Sequence, residues 1–75
     1  MKRVLVTGAA GQIGSELVPA LRQKFGKDNV VAAGHIERLP DELIDGPNTL
    51  IDVTKYEDIE NAIKEFRIDT VYHLA

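Results

Sequence analysis

Three glycines stand at positions 8, 11 and 14 of the run VTGAAGQIG, Val6 to Gly14, each three residues after the last. Placed between a strand and a helix, such a triplet makes a tight turn, lets the backbone approach a ligand closely and lets the helix pack against its strand. The chemistry this serves is phosphate binding. First-turn amides of a helix have no partners within the helix, and the helix dipole adds a favourable field of ~0.3–1 kcal/mol per charge. A pyrophosphate satisfies both. Glycines at this spacing also make plain loops, so the flanking elements decide between the two. A mononucleotide P-loop is excluded, because Ile13 and Gly14 occupy the positions where that motif needs glycine and lysine.

The flanking elements have the required order. Arg3 to Thr7 (RVLVT) is a short β-branched, apolar run stopped by Gly8, the pattern of a strand buried on both faces. From Gln12 to Phe25 the residues Ile13, Leu17, Leu21 and Phe25 fall four apart and form one helical stripe, with Gly26 where a C-terminal cap would sit. Pro19 inside this helix removes one hydrogen bond and predicts a kink. Asn29 to Ala33 (NVVAA) is a second buried strand, followed from Gly34 to Asn48 by a polar, proline-bearing stretch, and Thr49 to Val53 (TLIDV) is a third strand. Thr54 stands three residues before Glu57, the spacing of a capping box, and predicts a helix from Lys55 to Phe66 striped by Ile59, Ala62, Ile63 and Phe66. Asp69 to Leu74 (DTVYHL) is the fourth strand. Strands alternating with helices imply right-handed crossovers and a parallel sheet with helices on both faces, an α/β architecture.

Composition narrows the function classes. Seventy-five residues make a single unit, 1–75, with a thin core. The chain has no cysteine, so neither a disulfide framework nor a thiolate metal site is available, and His35 and His73 are too far apart to read as a ligand pair. The net charge of -3, with basic residues spread along the chain, argues against nucleic acid. No apolar stretch approaches a membrane span, and no signal-peptide core follows Lys2-Arg3. These features predict a soluble, cytoplasmic protein.

T-G-x-x-G-x-x-G at Thr7 to Gly14, the D-V pair at Asp52 and Val53, and H-L-A at His73 to Ala75 together resemble the amino-terminal part of an extended short-chain dehydrogenase/reductase, the superfamily of nucleotide-sugar epimerases and dehydratases. Within it, GQIGSELVPALRQKFGKDNVVA is similar to the short-chain type of L-threonine 3-dehydrogenase. The resemblance covers nearly the whole chain. It implies a partial Rossmann, doubly wound fold with strand order 3-2-1-4, and an NAD-binding segment of a homodimeric oxidoreductase. It implies that Gly8, Gly11, Gln12, Ile13 and Gly14 form the pyrophosphate turn. Asp52 would then bond the adenine amino group beside Val53, and Leu74 and Ala75 would flank the adenosine ribose. A nucleotide-sugar epimerase or dehydratase is the alternative activity, and a non-catalytic nucleotide-sensing module of the same fold is another.

Several of these residues also have plain structural readings. Asp52, closing a strand before a helix, is a good N-cap. His73, in a strand read as buried between Tyr72 and Leu74, reads as a satisfied core or interface histidine rather than a catalyst. Glu57, Asp58 and Glu60 read as the solvated, dipole-complementing start of a helix. Two departures from the family pattern stand out. The catalytic Tyr-x-x-x-Lys of the superfamily is not here, since Tyr56 is followed by Glu60 and Tyr72 has no residue at that distance, so the chain is expected to be an inert segment of a longer enzyme. The acid that usually ends the second strand and takes the ribose hydroxyls is also missing, with Ala33, Gly34 and His35 in its place. Glu37 could supply an acceptor, or Arg38 could reach a 2′-phosphate, so NAD is the expected cofactor and NADP stays open. Gly34→Asp should restore like-charge repulsion against the 2′-phosphate and raise the ratio of the NADP to the NAD dissociation constant. An unchanged ratio in titrations of the full encoded protein would mean that position 34 does not face the ribose.

Overall fold

The fold is set by a two-residue alternation in the first strand. In the computed structural model, which describes residues 2–34, 45–52 and 54–74, strand β1 spans Val4–Thr7 and all four of its residues are buried. Val4 and Val6 point to one face and join Val18, Leu21, Val30 and Ala32, whereas Leu5 points to the other and joins Val31, Ala33, Ile51 and Ala62. Successive side chains of a strand face opposite ways, so a strand apolar at every position needs a cover on both sides. Helix α1 (Gln12–Phe25) supplies one cover and helix α2 (Tyr56–Glu65) the other. Each fully buried Val or Leu is worth about 1.5–3 kcal/mol of transfer free energy.

Strands β2 (Val30–Gly34), β3 (Asn48–Leu50) and β4 (Thr70–His73) complete a four-stranded parallel sheet in the order β3-β2-β1-β4. The register sets Val4 beside Val30 and Thr70, and Thr7 beside Ala33 and His73. This is the partial Rossmann arrangement with the expected strand order. Helix α1 runs unbroken through Pro19.

Several boundaries differ from the sequence reading, each for a local reason. The second strand starts at Val30 because Asn29 belongs to a 3-10 turn (Lys27–Asn29), from which its side-chain amide donates to Phe25 O at 2.8 Å and caps α1. The third strand is Asn48–Leu50 rather than Thr49–Val53, and its exposed-to-intermediate residues correct the expectation of a buried strand. The ladder ends at Ile51, whose amide donates to Gly34 O at 2.7 Å, because Asp52 then turns the chain by accepting the Thr54 amide at 3.0 Å and the Thr54 hydroxyl at 2.6 Å. That same hydroxyl bond removes the Thr54–Glu57 capping box. Helix α2 instead begins at Tyr56 behind Lys55 without a side-chain cap, and the Asp58 carboxylate reaches back to the Asp52 amide at 3.1 Å. Strand β4 is half-exposed rather than buried. It lies at the sheet's edge, where Tyr72 packs on the α1 cluster while Val71, on the α2 side, is 41% exposed. His35, Glu37, Arg38, Val53 and Ala75 lie outside the described residues.

Two arginines tie the connections together at the amino-terminal end of the sheet. Arg3 donates to Phe66 O at 2.8 and 3.1 Å, to Asp28 O at 2.9 Å and to Asn29 Oδ1 at 3.2 Å, joining the turn after α2 to the turn after α1. Arg22, buried in α1, donates to Val30 O at 3.2 Å and to Pro47 O, so one guanidinium holds the starts of β2 and β3. Burial pushes that guanidinium below its ordinary pKa, and the Asp45 carboxylate opposes the shift.

The end of α2 yields a stability prediction. Ile68 N donates to Ile63 O at 2.9 Å and Arg67 N to Lys64 O at 3.4 Å, the paired bonds of a Schellman motif, and Arg67 takes the left-handed conformation at φ 55°. Glycine occupies that conformation without the Cβ penalty. Arg67→Gly should therefore stabilise the fold by about 0.5–1 kcal/mol, read as a raised denaturant midpoint. A lowered midpoint would show that the Arg67 side chain contributes more than its backbone strain removes.

Candidate functional site

At the carboxyl end of β1 the chain must reverse into α1 within four residues. Gly8 takes the left-handed conformation at φ 69°, its carbonyl accepts the Gly11 amide at 3.1 Å, and Ala9 N donates across to Ala33 O at 3.0 Å. Gly11 is the N-cap of α1, and Ser15 N donates to its carbonyl at 2.8 Å. No side chain caps this helix and no acidic residue stands in its first turn, so the positive end of its dipole is met by no carboxylate of its own. It opens on a cleft of about 310 Å³ lined by Gly8, Gly11, Gln12, Ile13, Gly14 and Leu74.

The second and third glycines do different work. A Cβ on Gly14 would fall 2.6 Å from Ala9 Cα and closer still to the Gly8 carbonyl oxygen, so Gly14 is what lets α1 pack onto the turn. Among the described residues a Cβ on Gly11 would meet only Gly8 O, at 3.3 Å, and Gly11 has an ordinary extended φ of -73°. A side chain at position 11 is thus less crowded than one at position 14, and Gly11 itself lines the cleft. Ile13, 69% exposed, and Leu74 give the cleft apolar walls on two sides.

The other residues singled out from the sequence are not gathered here. Asp52 lies past β3, two strands from β1, and its carboxylate accepts from Thr54 in the turn that starts α2. Val53 and Ala75 fall outside the described residues. A second hollow of about 180 Å³, between β3 and α2, is lined by Thr49, Asn61, Asp58 and Glu65 among others, and its carboxylates make it unsuited to an anion. Among the described residues no group of His, Cys, Asp and Glu could hold a metal ion, and no helix is long and apolar enough to cross a membrane.

One pairing was missed at the level of sequence. Thr7 is fully buried, and its hydroxyl lies 2.8 Å from His73 Nδ1 across the β1–β4 register. His73 has a side-chain partner but is not the buried core residue the sequence suggested, because β4 is an edge strand and leaves it exposed. The available signal was the polar residue closing each of two strands that a parallel sheet sets side by side.

A parallel sheet of this order, with a glycine turn feeding an uncapped helix from its central strand, is a Rossmann-type arrangement. Residues 4–75 match the model of the NAD dependent epimerase/dehydratase family, and the chain belongs to that family. It is 41% identical over 76 residues to an uncharacterized epimerase/dehydratase of Staphylococcus haemolyticus, a match that takes in 100% of this chain and 24% of that protein. Among solved structures it is similar to L-threonine dehydrogenase from Clostridium difficile, with TM-score 0.86, 38% identity, and coverage of 100% of this chain and 24% of the other. It shares the fold of dTDP-glucose 4,6-dehydratase from Bacillus anthracis, solved in complex with NAD, with TM-score 0.81, 20% identity, and coverage of 100% and 27%. The chain thus spans about a quarter of the length of the proteins it matches.

The glycine geometry makes a stability contrast. Gly14→Ala should destabilise by about 1–3 kcal/mol through backbone overpacking, whereas Gly11→Ala should cost under about 1 kcal/mol. Urea denaturation of both variants in the full encoded protein checks this. Equal losses would mean that the turn, rather than the helix contact, limits both positions.

Proposed function

We propose that residues 1–75 are the amino-terminal part of the dinucleotide-binding domain of an oxidoreductase of the L-threonine 3-dehydrogenase type, with NAD as cofactor. The observation that carries this reading is the uncapped amino terminus of α1 behind Gly11, opening on a cleft that Gly11 itself lines. In this reading the amides around Gly11, Gln12 and Ile13 hold the pyrophosphate, with Gly8 shaping the turn and Gly14 bringing the helix close. Leu74 and Ala75 flank the adenosine ribose. Asp52 and Val53 lie toward the adenine, where Asp52 would combine that contact with its hold on Thr54.

The bound nicotinamide would accept a hydride from a secondary alcohol, and these residues bind and orient without touching the reacting atoms. No residue of 1–75 is assigned a catalytic role. The likeness to a solved L-threonine dehydrogenase at 38% identity supports L-threonine as substrate. A second reading, a nucleotide-sugar epimerase or dehydratase, is favoured by the description of the family and separates from the first by substrate alone.

The decisive experiment is titration of NAD into the full encoded protein and its Gly11→Val variant, with circular dichroism as the check on folding. The variant should remain folded and bind more than about tenfold more weakly, a loss of ~1.4 kcal/mol. Wild-type affinity in Gly11→Val would remove the pyrophosphate from this turn. NAD reduction with L-threonine, against none with nucleotide sugars, would select the first reading over the second.

A further inference from the structure

We propose that Arg22 and Gly46 form a strut between α1 and the start of β3, and that Arg22 is thereby a positioning residue for adenine, keeping the Asp52 carboxylate where the adenine amino group meets it. The proposal rests on the cofactor reading above and adds to it what aims Asp52.

Strand β3 has few side chains to hold its place. It is an edge strand of three residues, and its neighbours on β2 are Ala32, Ala33 and Gly34, which offer almost no side chain for cross-strand contact. On the face it shares with α1, Leu50 is 63% exposed, so little apolar packing covers the strand there. Ile51, buried with the α2 cluster, decides which way the strand faces. Its position along the sheet is set by backbone bonds, with Ala32 N donating to Pro47 O at 3.0 Å and Ile51 N to Gly34 O at 2.7 Å.

Arg22 adds a side-chain hold at the same carbonyl. Its guanidinium donates to Val30 O at 3.2 Å and to Pro47 O, so one planar group ties the start of β3 to β2 and to α1. Gly46 is shaped to admit it. Among the described residues the glycines with positive φ are Gly8 and Gly26, so Gly46 is not required by its backbone conformation. What it provides is room, because a Cβ there would fall 2.9 Å from Arg22 Cζ and 3.1 Å from Nε. Asn48 Nδ2 donates to Gly46 O at 2.9 Å and carries the contact into the first residue of β3. The neighbouring Lys27–Asp45 ion pair, at 3.5 Å, is exposed and contributes little.

Helix α1 thus carries both ends of the proposed dinucleotide site. Its first turn faces the pyrophosphate, and about three turns further on its arginine holds β3. From Pro47 to Asp52 the chain spans about 16 Å when extended, so a displacement at its start is passed on to Asp52. The glycine turn is set instead by Gly14 packed on Gly8 and Ala9. Loss of the strut should therefore spare the pyrophosphate end and disturb the adenine end.

The test compares the dissociation constants of NAD and of nicotinamide hypoxanthine dinucleotide, which has a carbonyl oxygen in place of the adenine amino group, in the full encoded protein. Wild type should prefer NAD by about tenfold or more, the effect of a hydrogen bond to a charged group, and Asp52→Asn should lose most of that preference. Arg22→Met, which keeps the length and loses the donors, should reduce it to under about threefold, with Arg22→Lys in between. Gly46→Ala crowds the guanidinium without removing it and should lower the preference in the same direction, which keeps the test open if circular dichroism shows Arg22→Met unfolded. Equal weakening of both dinucleotides, or an unchanged preference, in the folded variants would overturn the proposal. No preference in wild type would overturn the adenine contact itself. NMR of the ligand-free protein then decides the strut: Asp52 and Thr54 amides that shift in Gly46→Ala leave it standing, and amides that stay in place overturn it too.

Discussion

Everything at the open end of the sheet depends on how closely α1 approaches β1. The Gly14 backbone lies against the Gly8 carbonyl and Ala9 at a separation no side chain permits. That contact brings the first turn of α1 directly over the end of the central strand, and the unpaired amides of a helix are useful to an anion only if they converge there. Gly8 supplies the left-handed turn, Gly14 the close approach, and Gly11 the vacant volume. Three identical residues thus meet three different physical needs, and the proposed pyrophosphate would lie beside the second.

Much of this was legible because both faces of the sheet demand the same thing from sequence. VLVT and VVAAG have no polar alternation, which only a strand covered on both sides can sustain, and the two helical stripes supply the two covers. The strand order then follows from right-handed crossovers that place the last strand on the far side of the first. Illegible at that level were the ends of elements. Thr54 and Glu57 have the spacing of a capping box, yet Asp52, two residues upstream, captures the Thr54 hydroxyl first, so the helix starts later and uses Asp58 instead. Short polar side chains compete for the same few backbone groups, and spacing alone does not rank the competitors.

The candidate site divides in the same way. The glycine turn could be read from residue type, because glycine is selected by what backbone geometry forbids to others. Thr7 and His73 could not, because their relation exists only through the β1–β4 register and spans 66 positions of the chain. Asp52 occupies a middle case. Its structural work in the Asx turn is explicit in the geometry, and that work holds the carboxylate at the carboxyl end of β3, on the edge of the sheet where ligands of open α/β folds lie.

The two ends of the sheet are held by unequal means. At the amino-terminal end, Arg3 and Arg22 each use a multiply bonded guanidinium to join connections from separate crossovers, and such forked, charge-assisted bonds resist displacement. At the carboxyl end, among the described residues, β4 is fastened to β1 beyond the regular ladder by the Thr7–His73 side-chain pair and one long amide contact. The asymmetry sets the multiply bonded anchors away from the glycine turn and places Leu74, a wall of the cleft, at the less fastened end. For a turn proposed to hold a phosphate the amides must converge on one point, whereas an apolar wall remains useful over a range of positions.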